Sequence, residues 1–479
     1  MKIAISYPPL DSSKGAPLLS QNRQFQYFKA PTYIYPVVPA QAATLLNQNG
    51  FEVVWDDAIA EQKTYQQWLN NIKKIKPDII AMETKTPVVK QHWRIIDDIK
   101  KASDSNWSPK VVLMGDHVTA MPEESFNNSP VDYVITGGNY GFSLLSICKG
   151  VMDTGIYYRE NGQVKNTGQF QLNHNLDELP FIDRDLTKWK LYAYNNGNYK
   201  CVPGTYTMAG RDCWWAQCTF CSWPTLFPRF RVRSPGNLLD EIGQLIDRGV
   251  KEIMDDTGTF PVGDWLREFC QGMIDRGYNR KVNLDCNMRF NAVSRSDYKL
   301  MKQANFRLLL FGLESARQDT LDRIRKKLTI EEIIESCKSA RREGLFPHIT
   351  IMFGFPWETY EDARETLKLG RWLLKKGYAY TVQATMVIPY PGTPLFEECK
   401  ERGWLKTMDW DRYDMKEPVM KTPMPDAQIM KFVQGIYSVV FNPEFFLRRI
   451  TSIRDIDDIR YYGRGAVKVL GHLFDFKGK

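Results

Sequence analysis

Short apolar runs alternate with amphipathic segments along most of this chain, and that rhythm limits its folds more than any single residue does. Up to about residue 150, Lys2–Ser6, Val53–Trp55, Ile79–Met82, Val111–Gly115 and Tyr133–Thr136 read as strands buried on both faces. Between them lie helical patterns such as Ala40–Asn49, which ends at Gly50, and Tyr65–Ile75, which ends before Pro77. Strand, helix, strand at this spacing predicts a doubly wound parallel sheet of the Rossmann-like kind. Such sheets bind ligands at the carboxyl ends of their strands. The loops of interest are therefore Tyr7-Pro8-Pro9, Asp56-Asp57, Thr84-Lys85-Thr86, Gly115-Asp116-His117 and Gly137-Gly138-Asn139.

Residues 151–200 read as a linker, punctuated by Asn161-Gly162 and Leu179-Pro180. From 201 to about 400 the rhythm resumes with longer spacing. Val202–Ala209, Glu252–Asp255, Val282–Asn287, Phe306–Gly312, His348–Phe353 and Thr381–Ile388 read as six strands, with helices such as Trp265–Arg276 and Ile330–Arg342 between them. Six strand–helix pairs predict an open, partial (β/α)6 barrel, because a complete eightfold one takes about 250 residues. An open side admits a large substrate laterally, and reacting groups belong at the carboxyl-terminal rim. Residues 401–479 carry Trp404, Trp410, Tyr413, Phe441, Phe445, Phe446 and Tyr461-Tyr462, and read as a small helical cap over the barrel mouth. An aromatic cap is first of all core; the alternative is the lining of a channel for a greasy substrate.

Leading off the first barrel strand is Gly210-Arg-Asp-Cys213-Trp-Trp-Ala-Gln-Cys218-Thr-Phe220-Cys221. Three thiols this close on one loop can fold around one metal centre, yet a structural zinc takes four ligands and an ordinary cubane takes one thiolate per iron. A four-iron cluster held by three cysteines keeps one iron open for substrate or cofactor. A zinc site and incidental thiols are the bland alternatives. Cys148, Cys201, Cys270, Cys286, Cys337 and Cys399 read as buried hydrophobes, with Cys201 watched for its nearness to the triplet in sequence.

The triplet, with Phe220 just before its last cysteine, resembles the radical S-adenosylmethionine (SAM) superfamily, although that superfamily usually has three residues in the first gap and this chain has four. Five rim pieces follow in the order seen in the cobalamin-dependent class of those enzymes: Asp255-Asp256-Thr257-Gly258, Cys286-Asn287-Met288-Arg289, Gly312-Leu313-Glu314-Ser315, Gly354-Phe355-Pro356-Trp357-Glu358 and Pro391-Gly392-Thr393-Pro394. The first half resembles that class's cobalamin-binding domain in layout, with Pro-Pro after the first strand, Gly-x-His-x-x-x-x-Pro-Glu at Gly115–Glu123 and a Gly pair after the fifth. It lacks the Asp-x-His-x-x-Gly signature, so a histidine lower ligand to cobalt is not expected.

The resemblance implies a [4Fe–4S] cluster on Cys213, Cys218 and Cys221, with SAM on the open iron. One electron cleaves SAM to a 5′-deoxyadenosyl radical. Phe220 is expected beside the adenine, Asp255 and Asp256 near the methionyl amino group, Arg289 at the SAM carboxylate, and Glu314 and Ser315 at the ribose hydroxyls, with Gly312 allowing close backbone approach. Tyr7, Pro8, Thr84, Gly115, His117, Gly137 and Gly138 are the expected cobalamin contacts. The implied reaction is methylation of an unactivated carbon on a small-molecule or lipid-like substrate, supported by an electron donor such as flavodoxin or ferredoxin. Alternatives are radical cyclisation, ring rearrangement or oxidation without methyl transfer, an enzyme lacking cobalamin, and a corrinoid-binding protein with a structural metal.

Composition narrows the partners. Lysine plus arginine at 64 against 56 acidic residues leaves +8 on 479 residues, only mildly basic and without an arginine-rich block, so nucleic acid is not implied. The sequence holds no run of about 18 apolar residues, the length of a membrane span. Nine cysteines without framework spacing point to a reducing cytoplasm.

Overall fold

The computed structural model describes residues 1–18 and 25–475. Its first sheet has seven strands in the spatial order Glu52–Asp57, Lys2–Tyr7, Ile79–Glu83, Lys110–Met114, Tyr133–Ile135, Ile156–Glu160, Gln163–Asn166. The first five are parallel. Ile3, Ala4, Ile5, Ile80, Ala81, Met82, Val112 and Leu113 are all fully buried, as strands covered by helices on both faces require. The helix Tyr65–Ile75 starts and stops on local chemistry. Thr64 forms a capping box with Gln67, and Lys76 ends the helix in a left-handed conformation.

The stretch read as a linker is more ordered than its punctuation suggests. Ile156–Glu160 and Gln163–Asn166 form a hairpin that extends the sheet antiparallel at its Tyr133–Ile135 edge. Asn161-Gly162 is its turn. Beyond it, Arg184 joins the halves, its guanidinium 4.4 Å from the centre of the Tyr35 ring while it donates to Thr205 Oγ1 at 2.8 Å, to the Tyr206 carbonyl at 3.0 Å and to Glu241 Oε1 at 2.9 Å.

The second sheet has six parallel strands in sequential order: Gly204–Thr207, Glu252–Asp255, Asn283–Met288, Phe306–Glu314, Phe346–Phe353 and Thr381–Met386. The first and last are not paired, so the barrel is open on one side. The helices Pro235–Asp247, Asp264–Asp275, Arg295–Gln303, Ile330–Arg342 and Tyr360–Lys375 pack around it, several opening on Ser or Thr caps. The tail forms the helix Asp426–Gly435, a 3₁₀ segment Ile436–Phe441, and the helices Pro443–Thr451 and Ile456–Asp475. Among the described residues no helix is long and apolar enough to cross a membrane.

Candidate functional site

The cysteine loop is tied down at the carboxyl-terminal rim. The Gly210 amide donates to Thr257 Oγ1 at 2.9 Å, the Gly258 amide to Asp212 Oδ1 at 2.5 Å, and Cys213 pairs as a single parallel bridge with Thr259. The Trp214 indole donates to the Phe260 carbonyl, and the Thr219 amide to that of Ile324. The loop is thus held from both sides by backbone and side-chain bonds.

Cys213, Cys218 and Cys221, all half-buried, line one cavity of about 1110 Å3 that runs through the barrel. Among the described residues no three His, Cys, Asp or Glu side chains converge as a single metal ion requires. The chemistry beside the thiols suits an anionic centre. Burial pushes the Cys218 thiol up, with Lys326 and Arg289 pulling the other way. Burial alone would lower Lys326, but Glu314 and the Cys218 and Cys213 sulfurs outweigh it and hold the ammonium above its usual range. Lys326 Nζ lies 2.7 Å from Glu314 Oε1.

The structure brings Phe220, Asp256, Arg289, Gly312 and Glu314 onto the wall of this same cavity. Arg289 lies 4.1 Å from the centre of the Trp215 ring and donates to the carbonyls of Lys326 and Lys327 at 2.7 and 2.8 Å. Its buried Nε has no acceptor among the described residues, which leaves one donor for an anionic ligand group. Asn287 donates to the Thr257 carbonyl at 3.0 Å and approaches Asp256 Oδ1 at 3.5 Å. Glu314 has a φ of 62° at a register shift between the fourth and fifth strands. A Cβ on Gly312 would stand 2.1 Å from Glu314 Oε1 and 2.5 Å from Lys326 Nζ, so the bare glycine is what lets that ion pair lie against the strand.

Two expected SAM contacts are placed elsewhere. Asp255 turns into the protein, accepting from Thr207 Oγ1 at 3.1 Å and from the amides of Ala209 and Thr257 at 2.7 and 3.1 Å. It braces the strand that leads into the cysteine loop. Ser315 is fully buried and donates to Glu358 Oε1 at 2.6 Å, so its hydroxyl ties two rim loops together. Cys201 is also distant from the triplet. It sits at the opposite end of the first barrel strand, its amide on Glu252 Oε2 at 2.9 Å and its sulfur 3.4 Å from Asn283 Nδ2. Eight strand and loop residues separate it from the rim, so nearness in sequence does not become nearness in space.

The loops expected to meet cobalamin gather at the carboxyl edge of the first sheet but do not line the cavity. Tyr7 donates to Glu83 Oε2 at 2.8 Å, and Thr84 Oγ1 lies 2.7 Å from His92 Nδ1. His117 is committed on both ring nitrogens, Nδ1 to Thr86 Oγ1 at 3.1 Å and Nε2 to Glu124 Oε2 at 2.9 Å, with Trp410 edge-on at 5.3 Å. Cβ atoms on Gly115, Gly137 and Gly138 would meet the Thr84 carbonyl, the Phe170 ring and the Phe227 ring at 2.1, 2.4 and 2.0 Å. What faces the cavity from this half is an apolar roof of Leu18, Phe28 and Ile34 with Thr32. This roof escaped the sequence reading because it lies in a segment with neither helical nor strand periodicity. Lys326 escaped it because nothing in the sequence sets it apart within the basic run Arg325–Lys327.

A family model described as the radical SAM superfamily matches residues 209–370. The chain is 31% identical over 414 residues to an uncharacterized methyltransferase, PH0819, of Pyrococcus horikoshii, covering 84% of this chain and 85% of that protein. It is 26% identical over 381 residues to an anaerobic magnesium-protoporphyrin IX monomethyl ester cyclase of Cereibacter sphaeroides, covering 76% of this chain and 60% of the cyclase. In fold it matches the radical SAM methyltransferase TsrM of Kitasatospora setae, solved with cobalamin and a [4Fe–4S] cluster, at a TM-score of 0.67 and 14% identity over 98% of this chain and 99% of that one.

Proposed function

Because the chain belongs to the radical SAM superfamily, we propose that it is a cobalamin-dependent member that cleaves SAM at a cluster held by Cys213, Cys218 and Cys221 and methylates an unactivated carbon of an apolar substrate in the barrel cavity. The observation that carries this reading is that all three thiols of one loop line the same, largely apolar cavity as the rim residues. When bound, the cluster supplies the electron that cleaves SAM, and cobalamin supplies the methyl group.

The chain's own part is to bind, orient and exclude water. Arg289 Nε offers its N–H to the SAM carboxylate, and Asp256, steadied by Asn287, offers a carboxylate to the methionyl ammonium. Phe220 packs beside the adenine. Glu314, fixed by Lys326, accepts from the ribose hydroxyls. Asp255 and Ser315 act one step back, as braces of the rim. Leu18, Phe28, Thr32 and Ile34 would offer cobalamin an apolar face of the cavity, and the loops at Tyr7, Pro8, Thr84, Gly115, His117 and Gly137-Gly138, at the carboxyl edge of the first sheet, would complete its site. His117, occupied on both nitrogens, serves its loop and not the cobalt. A flavodoxin or ferredoxin delivers the electron.

Anaerobic incubation of reconstituted protein with SAM and dithionite tests this. Both 5′-deoxyadenosine and S-adenosylhomocysteine are expected, and each of C213A, C218A and C221A should abolish the first. Zinc on four protein ligands with no deoxyadenosine would overturn the proposal. The cyclase relative favours a second reading, ring closure without methyl transfer, for which deoxyadenosine forms and S-adenosylhomocysteine does not.

A further inference from the structure

The end of the cavity farthest from the cysteine loop carries positive charge that no carboxylate among the described residues pairs. Arg449, on the helix Pro443–Thr451, lines the cavity, its guanidinium 4.0 Å from the centre of the Tyr380 ring and 4.7 Å from that of Phe445. Tyr380 packs on Phe346 at 4.4 Å, and Arg341 stands 4.7 Å from the Phe346 centre. Arg341, Phe346, Tyr380, Arg449 and Phe445 thus form a ladder in which aromatic faces hold the two cations in place. Among the described residues neither arginine has an ion pair with a carboxylate. Arg341 gives its hydrogen bonds to the carbonyls of Gly377 and Leu345. Burial, with the neighbouring Arg449 adding to it, lowers its pKa.

Beside this ladder lies a buried polar atom that is unpartnered among the described residues. His348 lines the cavity and is 8% exposed. Its Nδ1 lies 2.8 Å from Thr381 Oγ1, and its Nε2 has no partner among the described residues. Burial, which pushes it down to about 4, keeps the ring neutral. A hydroxyl relay runs close by, Tyr380 to Tyr462 at 2.8 Å and Tyr462 to Ser452 at 2.6 Å. Between His348 and the rim at Phe353 the strand rises five residues, about 17 Å, and Met352, Leu310 and Val382 line that interval, interrupted by Thr350 and Gln383. Phe441 and Phe446 line the same end while 73% and 57% exposed, so the cavity reaches solvent there.

We propose that this end of the cavity, at Arg449 and His348, receives the acidic head, carboxylate or phosphate, of an elongated apolar substrate whose hydrocarbon body extends to the cysteine end. The geometry divides the work. A guanidinium fixed between rings matches a carboxylate or phosphate in shape and charge, and a head near the opening keeps part of its hydration while the body is dehydrated inside. Placing the reacting carbon at the far end of the body rests on the functional reading above; the head-group site does not.

The test is binding to the full-length protein without SAM or reductant, so that it stands apart from the radical chemistry. Palmitate and 1-hexadecanol compete for the neutral fluorophore N-phenyl-1-naphthylamine. Wild type should bind palmitate about tenfold or more tightly than hexadecanol. Arg449→Met should erase that preference and leave hexadecanol binding unchanged, Arg449→Lys should keep most of it, and His348→Leu should weaken palmitate alone. If Arg449→Met fails to fold, Arg449→Gln, which keeps the reach across Tyr380, makes the same measurement. Equal binding of the two amphiphiles by wild type, or a preference that survives loss of the charge, overturns the proposal. Absence of deoxyadenosine in the separate turnover assay would instead sink the reading of the cysteine end.

Discussion

Gly138 is a steric requirement of its loop. A Cβ there would stand 2.0 Å from Cε1 and 2.2 Å from Cζ of Phe227, a ring that is 2% exposed. The loop cannot simply retreat, because the Gly138 amide donates to the Leu226 carbonyl at 3.0 Å. The ring cannot swing freely either, stacked as it is on Trp223 at 5.6 Å. Gly138→Ala should therefore cost about 1–3 kcal/mol as overpacking. Phe227→Ala alone removes a buried ring and should cost about 3–5 kcal/mol. In the double variant the vacated space takes the methyl group, so its stability should equal that of Phe227→Ala or exceed it, a coupling of about 1–3 kcal/mol. Differential scanning calorimetry of the four proteins, followed at the first transition, measures the cycle. Additive losses would refute the steric reasoning and show that backbone freedom, not space, is what the glycine supplies.

Three further outcomes follow from buried charge and position. Burial would raise Glu241, but Arg233 and Arg184 outweigh it and hold the carboxyl below its usual range. It stabilises the fold above the ordinary carboxylate range and stops doing so as pH falls through its folded value. Glu241→Gln strands two buried guanidinia, so urea unfolding at pH 7 should show a loss of about 3–5 kcal/mol, absent if the arginines re-pair. Glu358 is raised by burial to about 7 despite the Ser315 hydroxyl, so ionising it weakens the fold as pH climbs from about 4.5 to 7, by about 3 kcal/mol. Glu358→Gln should be the more stable protein at pH 8 and should lack that slope in a stability profile from pH 5 to 8; a parallel profile would contradict the assignment. Cys201→Ala should keep its full iron content after reconstitution, unlike any of the triplet variants, because it lies at the other end of the strand; iron loss measured by colorimetric assay would contradict its placement.

Much of this was legible in the sequence because each barrel and Rossmann strand is short, apolar and flanked by helical periodicity. Tyr65–Ile75 and Ile330–Arg342 form helices at the bounds their spacing predicts. The hairpin Ile156–Asn166 was not, since Tyr157, Arg159 and Lys165 alternate too weakly for an edge strand to stand out from a connector. At the site, residue type located the rim but not which of two neighbours faces inward. In Asp255-Asp256 the first carboxylate turns to backbone amides and the second to the cavity. In Glu314-Ser315 a register shift and a positive φ turn the pair so that only the glutamate reaches the wall. Such choices depend on long-range partners, Thr207 and Glu358 here, that no local pattern encodes.

The aromatic tail answers a problem that the open barrel creates. A six-stranded sheet that does not close leaves the last strand, Thr381–Met386, with an edge whose amides need acceptors. Tyr437 supplies one, its hydroxyl accepting from the Ala384 amide at 3.1 Å. The same residue lines the cavity, as do Phe441, Phe445, Tyr461 and Tyr462. Trp410 and Tyr413, by contrast, are buried packing residues, with the Trp410 indole donating to Glu124 Oε1 of the first half at 2.8 Å. The alternatives posed by composition, core or channel, are therefore divided along the tail. Residues up to about 413 are packing, and those from 437 onward form the wall that a closed barrel would have built from its missing strands. Because that wall is helical and carries Arg449, the open side gives the cavity a second cationic end, away from Arg289 and Lys326 at the thiols. An eight-stranded barrel filled by its own layered side chains would have no room for such a feature.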